Sequence, residues 1–394
     1  MVFRRNAVDH PGGGNEYKYK ARPSRSGGPA STFLKVALIL CILYAFLVSI
    51  GLMGAGFKIF GKDFARALIE TTSNPFIGLF VGIFSTAIIQ SSSTTTAMVV
   101  AFVAAGSLTV ESAVPIVMGA NIGTGVTATF VSLGHVTRRN EFNRAYSAAV
   151  VHDMFNLLAV VVFLPLELTT GFLSRSATAL TRLLAGSTGV EFKSPLKAIT
   201  KPVYSAIADG IEGIGLHEIL AGCIVVVLGV VLLITSLVFL SRLLKSLVLS
   251  KLERFFEKSL GRNGYLAILI GLAFTTVVQS SSITTSLMVP MAAAGVMRLE
   301  QVFPVALGAN LGTTVTALLA ALATGCPGGL TIALVHLLFN LSGIILFYPL
   351  PPLRNLPLGI TGWLSSLASR KRIFALLFVA VVYFAIPGAL IFLV

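Results

Sequence analysis

The amino-acid sequence predicts an all-α polytopic membrane protein built from inverted-topology repeats, with about seven full spans and two re-entrant broken-helix hairpins. Three observations lead there. Of 394 residues, 55% are apolar and 11% charged, with a mean hydropathy of +0.91. A soluble protein carries about 25% charged residues, so lipid is the solvent of most of this surface. Seven apolar runs reach the roughly 20 residues needed to cross a hydrocarbon core of ~30 Å. Finally, residues 90–127 recur at 279–316 without gaps, with 19 of 38 positions identical. The formal net charge of +14 does not point to nucleic acid, because Lys and Arg fall in short clusters between apolar runs, as membrane orientation requires. Cys41, Cys223 and Cys326 lie in or beside apolar runs and imply no disulfide framework.

In chain order, residues 1–32 are rich in Gly, Pro, Arg and Ser and read as a disordered basic tail on the cytoplasmic side. The first repeat, 33–167, opens with a span at 33–57. It continues with a stretch at 75–106 whose centre, QSSSTTT, is hydrophilic where a simple span is driest. About 32 residues would make a straight helix of ~48 Å, far more than one crossing needs. A helix–break–helix that dips in and returns fits better, since irregular backbone at membrane depth must line a protein-enclosed cavity. Spans at 111–133 and 145–167 complete the repeat, and 168–215 is expected as an extracellular loop.

The second, inverted repeat, 216–350, has the same plan: a span at 216–242, a turn-back at 264–296 centred on QSSSITT, and spans at 300–323 and 329–350. Residues 351–394 supply a C-terminal loop and a last span, 373–394. With both QSSS stretches re-entrant, the clusters Arg138–Arg144, Arg242–Arg262 and Arg370–Arg372 join the tail in the cytoplasm. Were they full spans, the clusters at 138–144 and 242–262 would lie opposite the tail. Three crossings then separate equivalent points of the two halves, an odd number, so the halves are inverted. Inverted repeats with discontinuous helices are the recurring plan of secondary transporters, with substrate held at the repeat interface.

The matched positions carry the chemistry. Gln90/Gln279, Ser91/Ser280, Ser92/Ser281, Ser93/Ser282, Thr95/Thr284 and Thr96/Thr285 are followed by Asn121/Asn310 and Thr124/Thr313 within GANIGT and GANLGT. VHDMFN at 151–156 recurs as VHLLFN at 335–340, adding His152/His336 and Asn156/Asn340. Hydroxyls donate to an anion and still offer lone pairs to a cation, while half-helix N-termini favour anions. No Lys or Arg lies near either motif at membrane depth. A buried multivalent anion therefore needs bound cations as its counter-charge. Asp153, whose repeat partner is Leu337, is expected either as a Na⁺ ligand or as the partner of the Arg138–Arg144 cluster. His152 and His336 are expected mainly as packed hydrogen-bonding groups.

The segments QSSSTTTAMVV, VPIVMGANIGTGVTATFVSL, EFNRAYSAAVVHDMFNLL, QSSSITTS and VFPVALGANLGTTVTALLAAL resemble the type II sodium-dependent phosphate cotransporters and their bacterial homologues, over about residues 33–350. The resemblance implies Na⁺-coupled uptake of inorganic phosphate by alternating access in a plasma membrane, here a bacterial inner membrane. Na⁺ would be the coupling ion, with no organic cofactor. The partners would be phosphate, sodium and the lipid bilayer, and no nucleic acid. Carried onto this chain, Ser91, Ser92, Ser93, Thr94, Ser280, Ser281, Ser282 and Thr284 would hold phosphate. Gln90, Gln279, Asn121, Asn310 and the neighbouring hydroxyls of Thr95, Thr124, Thr285 and Thr313 would line sodium sites, with Asp153, Asn156, Asn340, His152 and His336 as further candidates. By themselves the residues also fit a symporter for another small oxyanion, a proton-coupled one, or an ion channel with paired re-entrant loops. An enzyme is not expected, because no nucleophile–base pair or clustered metal ligands are present.

Overall fold

The computed structural model describes residues 29–61, 66, 69–70, 72–185, 195–259 and 263–393. The expected tail therefore lies outside the described residues as far as residue 28, and from Pro29 onward the chain is helical. The contacts divide the described chain within α1, at Leu38/Ile39, and every element from α2 onward lies in the unit Ile39–Val394. Helix α1 (Pro29–Ile59) is succeeded by α2 (Pro75–Ile89), α3 (Ser92–Ala105), α4 (Val110–Gly123), α5 (Gly125–Leu133) and α6 (Arg139–Thr170). Next come α7 (Phe172–Ala185), α8 (Pro195–Glu212) and α9 (Glu218–Ser259). The second half holds α10 (Gly264–Val278), α11 (Ser281–Ala293), α12 (Leu299–Thr324) and α13 (Pro327–Phe347). The chain closes with α14 (Pro351–Arg370), α15 (Ile373–Val379), a π-helical turn (Ala380–Ala385) and α16 (Ile386–Leu393). The described residues contain no strand. Seven of their helical stretches are long and apolar enough to cross a membrane, starting at Phe33, Val110, Arg139, Glu218, Leu299, Pro327 and Ile373. The protein is a multi-pass membrane protein.

Two expectations need correcting. Residues 168–215 are not an open loop, because α7 and α8 occupy most of them. Helix α7 buries Leu173, Ala177 and Thr181, one residue per turn, while Arg175 and Arg182 point out. A stripe at this spacing folds as a surface helix although its average hydropathy is low. Residues 351–370 are likewise a helix rather than a loop: α14 buries Pro357, Thr361, Ser365 and Ala368 and exposes Leu356, Ile360 and Trp363 on its other side.

The two halves repeat one local construction. Asn74 caps α2 by accepting from Phe76 N at 3.0 Å, and Asn263 caps α10 by accepting from Tyr265 N at 2.9 Å. Such a cap contributes about 1 kcal/mol. Each helix then stops at a glutamine in the left-handed region, Gln90 at φ 57° and Gln279 at φ 58°, the only positive-φ residues other than glycine among those described. Serine restarts the helix: Ser91 Oγ accepts from Thr94 N at 3.2 Å, and Ser280 Oγ from Ile283 N at 3.3 Å. A hydroxyl pair closes each break, Thr86 to Thr95 at 2.9 Å and Thr275 to Thr284 at 2.6 Å.

Helices α2 and α4 run parallel in close contact. Along α2, Gly78, Gly82 and Thr86 meet in turn Ser112–Ile116, Ile116–Ala120 and Gly123 of α4. In α10 and α12, Ile268 and Gly271 meet Gly308 and Val305, and Thr275 meets Gly312, again in parallel. The second helix of each pair crosses to the other half: α3 packs on α12 and α13, and α11 packs on α5 and α6.

Candidate functional site

Where the halves interlock, the GAN and VH segments exchange partners. In the first exchange, His152 Nε2 on α6 hydrogen-bonds Asn310 Oδ1 on α12. Asn310 Nδ2 donates to Asn156 Oδ1 at 2.7 Å, and Asn156 Nδ2 donates to the Asn121 carbonyl at 3.0 Å. This clasp joins α4, α6 and α12. In the second exchange, His336 Nε2 on α13 meets Asn121 Oδ1 at 3.3 Å. Among the described residues, Asn340 donates only to the carbonyl of His336, at 3.2 Å, and Asn340 Oδ1 and His336 Nδ1 are buried without a partner.

The serine tracts form the first turns of α3 and α11. Ser92, Ser93, Ser281 and Ser282 are buried, and no hydrogen bond among the described residues uses their hydroxyls. Each helix N-terminus thus presents two uncommitted hydroxyls, unpaired backbone N–H groups and the positive end of a helix dipole. Ser91 and Ser280 are occupied as caps. Thr94 is tied to Ser91 Oγ at 2.9 Å, and Thr284 to Thr275 and the Ser280 carbonyl, so the hydroxyls of these two predicted phosphate ligands are engaged at their own helix breaks. Thr95, Thr124, Thr285 and Thr313 donate to carbonyls four residues back; one lone pair of Thr95 accepts from Thr86 Oγ1, whereas the lone pairs of the other three are used by no hydrogen bond among the described residues. Gln279 is buried and accepts from Thr316 Oγ1 at 2.8 Å, whereas Gln90 is exposed. No hydrogen bond among the described residues joins one tract directly to the other.

Asp153 is not the partner of the arginine cluster. Its carboxylate is 2% exposed, accepts from Tyr383 Oη at 2.6 Å and stands 3.4 Å from His152 Nδ1. It lies directly against Gly125, where a Cβ would overlap it. Arg138 instead pairs with Glu141 at 2.7 Å. The Arg144 guanidinium binds the Ala292 and Ala293 carbonyls at 2.6–3.1 Å, neutralising the negative end of the α11 dipole. Its counterpart in the repeat is Gly328, which lies against Val103 near the end of α3.

Each half thus holds a broken helix with a serine-lined start, and reciprocal His–Asn contacts cross between them; known proteins match this chain in sequence. The profile of the Na⁺/Pi-cotransporter family covers residues 45–194 and 232–355. The chain belongs to the Na⁺/Pi-cotransporter family. It is 34% identical over 434 residues to sodium-dependent phosphate transport protein 2A of Ovis aries, covering 91% of this chain and 67% of that protein. The rat protein 2A is 34% identical over 445 residues, covering 95% and 70%. The human protein 2B is 32% identical over 445 residues, covering 90% and 64%. The chain thus spans about two thirds of the length of these relatives. No solved structure matches it.

Within this Na⁺/Pi-cotransporter family member, sequence reasoning missed three site residues. Thr86 and Thr275 become visible when the repeat alignment is carried back to Asn74/Asn263, with Gly82/Gly271 between them. Tyr383 has no repeat partner. Its signal is a lone hydroxyl in an apolar final span, four residues before Pro387. Proline lacks the N–H that would bond the Tyr383 carbonyl, and the chain widens there into the π turn 380–385.

Proposed function

We propose that this protein is a sodium-coupled symporter that carries inorganic phosphate into the cell by alternating access, with its N-terminus in the cytoplasm of a bacterial inner membrane. The observation that carries the reading is the pair of helix starts at which Ser92, Ser93, Ser281 and Ser282 are buried residues whose hydroxyls no hydrogen bond among the described residues uses, with no Lys or Arg beside them in the sequence. Phosphate would sit between the two starts. Oxygens of Gln90, Gln279, Asn121 and Asn310 and of Thr95, Thr124, Thr285 and Thr313 would hold Na⁺ and supply the counter-charge. Coupling follows: anion without cation leaves buried charge and disfavours the occluded state. Each entering Na⁺ contributes ~1.4 kcal/mol per tenfold gradient and ~2.3 kcal/mol per 100 mV.

The parallel packing supports the re-entrant, inverted reading. If 75–106 crossed the membrane, α4 would return antiparallel to α2. A dip and return lets both start on one face, and the same holds for α10 and α12. The test is uptake of labelled phosphate into proteoliposomes under an inward Na⁺ gradient and, separately, an equal K⁺ gradient. Accumulation above equilibrium with Na⁺ alone is expected. Equal uptake with both ions, or uptake that never exceeds equilibrium, would reject coupled symport. Competition by sulfate or dicarboxylate as strong as by phosphate would reassign the substrate.

A further inference from the structure

Far from the serine tracts, at the end of the second half where α10, α12 and α14 all begin, lies a cleft of about 320 Å³. Arg298, Arg354, Tyr348, Asn263, Asn355 and Glu300 line it. Three helix N-termini open at one place, each with unpaired N–H groups and a positive dipole end. Arg298 and Arg354 have no carboxylate partner among the described residues, and Arg354 lies 5.7 Å over the Tyr348 ring. The cleft's one carboxylate, Glu300, is exposed on the first turn of α12, leaving two cations to one anion. Burial moves the Tyr348 phenol upward against the pull of Arg354, so it remains a protonated donor at neutral pH. The corresponding positions of the first repeat are Thr109 and Thr170, so the first repeat lacks both arginines of this cleft.

Its surroundings fix the kind of anion. On α14, Leu356, Ile360 and Trp363 form an exposed stripe at helical spacing, 47%, 38% and 66% accessible. An amphipathic helix with an exposed Trp lies at headgroup depth. From the cleft mouth, Tyr265, Leu266 and Leu269 continue along α10 as an exposed apolar face, in line for acyl chains. Under the positive-inside arrangement this end faces the cytoplasmic leaflet, where anionic lipids give a negative surface potential. We propose that the cleft binds the headgroup phosphate of an anionic phospholipid, with Arg298, Arg354 and the three helix starts on the phosphate and the α10 face against the chains.

The experiment uses the full chain, purified in detergent and delipidated, titrated with phosphatidylglycerol, phosphatidylcholine or inorganic phosphate, with bound lipid counted by native mass spectrometry. Wild type is expected to prefer phosphatidylglycerol to phosphatidylcholine at least tenfold. Arg298→Gln with Arg354→Gln should abolish that preference, while Arg370→Gln with Lys371→Gln, which removes the same charge elsewhere, should keep it. Glu300→Gln, a change on the protein's surface, should tighten phosphatidylglycerol binding threefold or more and serves as the test if the double variant does not fold. The proposal is overturned if the Arg298/Arg354 variant keeps the preference or if Glu300→Gln leaves affinity unchanged. It is equally overturned if millimolar inorganic phosphate displaces phosphatidylglycerol completely, which would make this a free-anion site. None of these outcomes depends on phosphate transport.

Discussion

His152 and His336 occupy equivalent positions, each four residues before an equivalent asparagine, and each reaches the GAN asparagine of the opposite half. Around His152 the bonds close into a network in which Asn156 ties Asn310 to the Asn121 backbone. Around His336 the same residue types leave Asn340 Oδ1 and His336 Nδ1 buried and, among the described residues, unpaired. An unpaired buried polar atom costs about 1–3 kcal/mol. The two clasps therefore differ although their residue types are alike: the first is closed by hydrogen bonds, and the second holds two polar atoms that no described residue meets. Neighbouring residues follow the same division. Gly125 makes room for Asp153 in the first half, while Thr314 and Leu337 stand in their places in the second. A duplicated sequence thus need not give duplicated bonding.

That comparison breaks most visibly at Gly125. Gly125→Ala puts a methyl group onto the Asp153 carboxylate and is expected to cost about 3 kcal/mol. The counterpart Thr314→Ala should cost no more than about 1 kcal/mol, and thermal unfolding of the purified variants reads both. Next in size is the asparagine pair. Asn156→Ala leaves the Asn310 amide and the Asn121 carbonyl unpaired and should cost about 2–3 kcal/mol, while Asn340→Ala should stay within about 1 kcal/mol. Equal losses for both would mean that the two clasps are alike. The serine pair sharpens the comparison from the other side. Ser92→Ala and Ser281→Ala should each raise the half-saturating phosphate concentration about tenfold, equivalent to ~1.4 kcal/mol, with unfolding unchanged. If only one of them acts, phosphate belongs to one half and not to a shared site.

The seven spans, the repeat and the serine-rich breaks were legible in the sequence because hydropathy and self-similarity are local signals. Both glutamines stood out at the head of their motifs, although the left-handed backbone that makes them helix breaks did not. The helices at 172–185 and 195–212 were not legible, since a narrow stripe such as Leu173, Ala177 and Thr181 leaves the average hydropathy low. The partner of Asp153 could not be read either. Tyr383 lies 230 residues away on an element outside the repeat, so neither spacing nor symmetry marks it. The His–Asn exchange involves residues that were singled out, but only packing α6 against α12 and α13 against α4 pairs them across the halves.

The central claim is that phosphate is held in a pocket without Lys or Arg only because Na⁺ is bound beside it. Equilibrium binding of labelled phosphate to the purified protein, in NaCl and in choline chloride at equal ionic strength, tests this most directly. Affinity should be at least tenfold higher in Na⁺, and Na⁺ binding should tighten to the same degree when phosphate is present. The same affinity in both salts would show that the anion needs no sodium and would contradict the account.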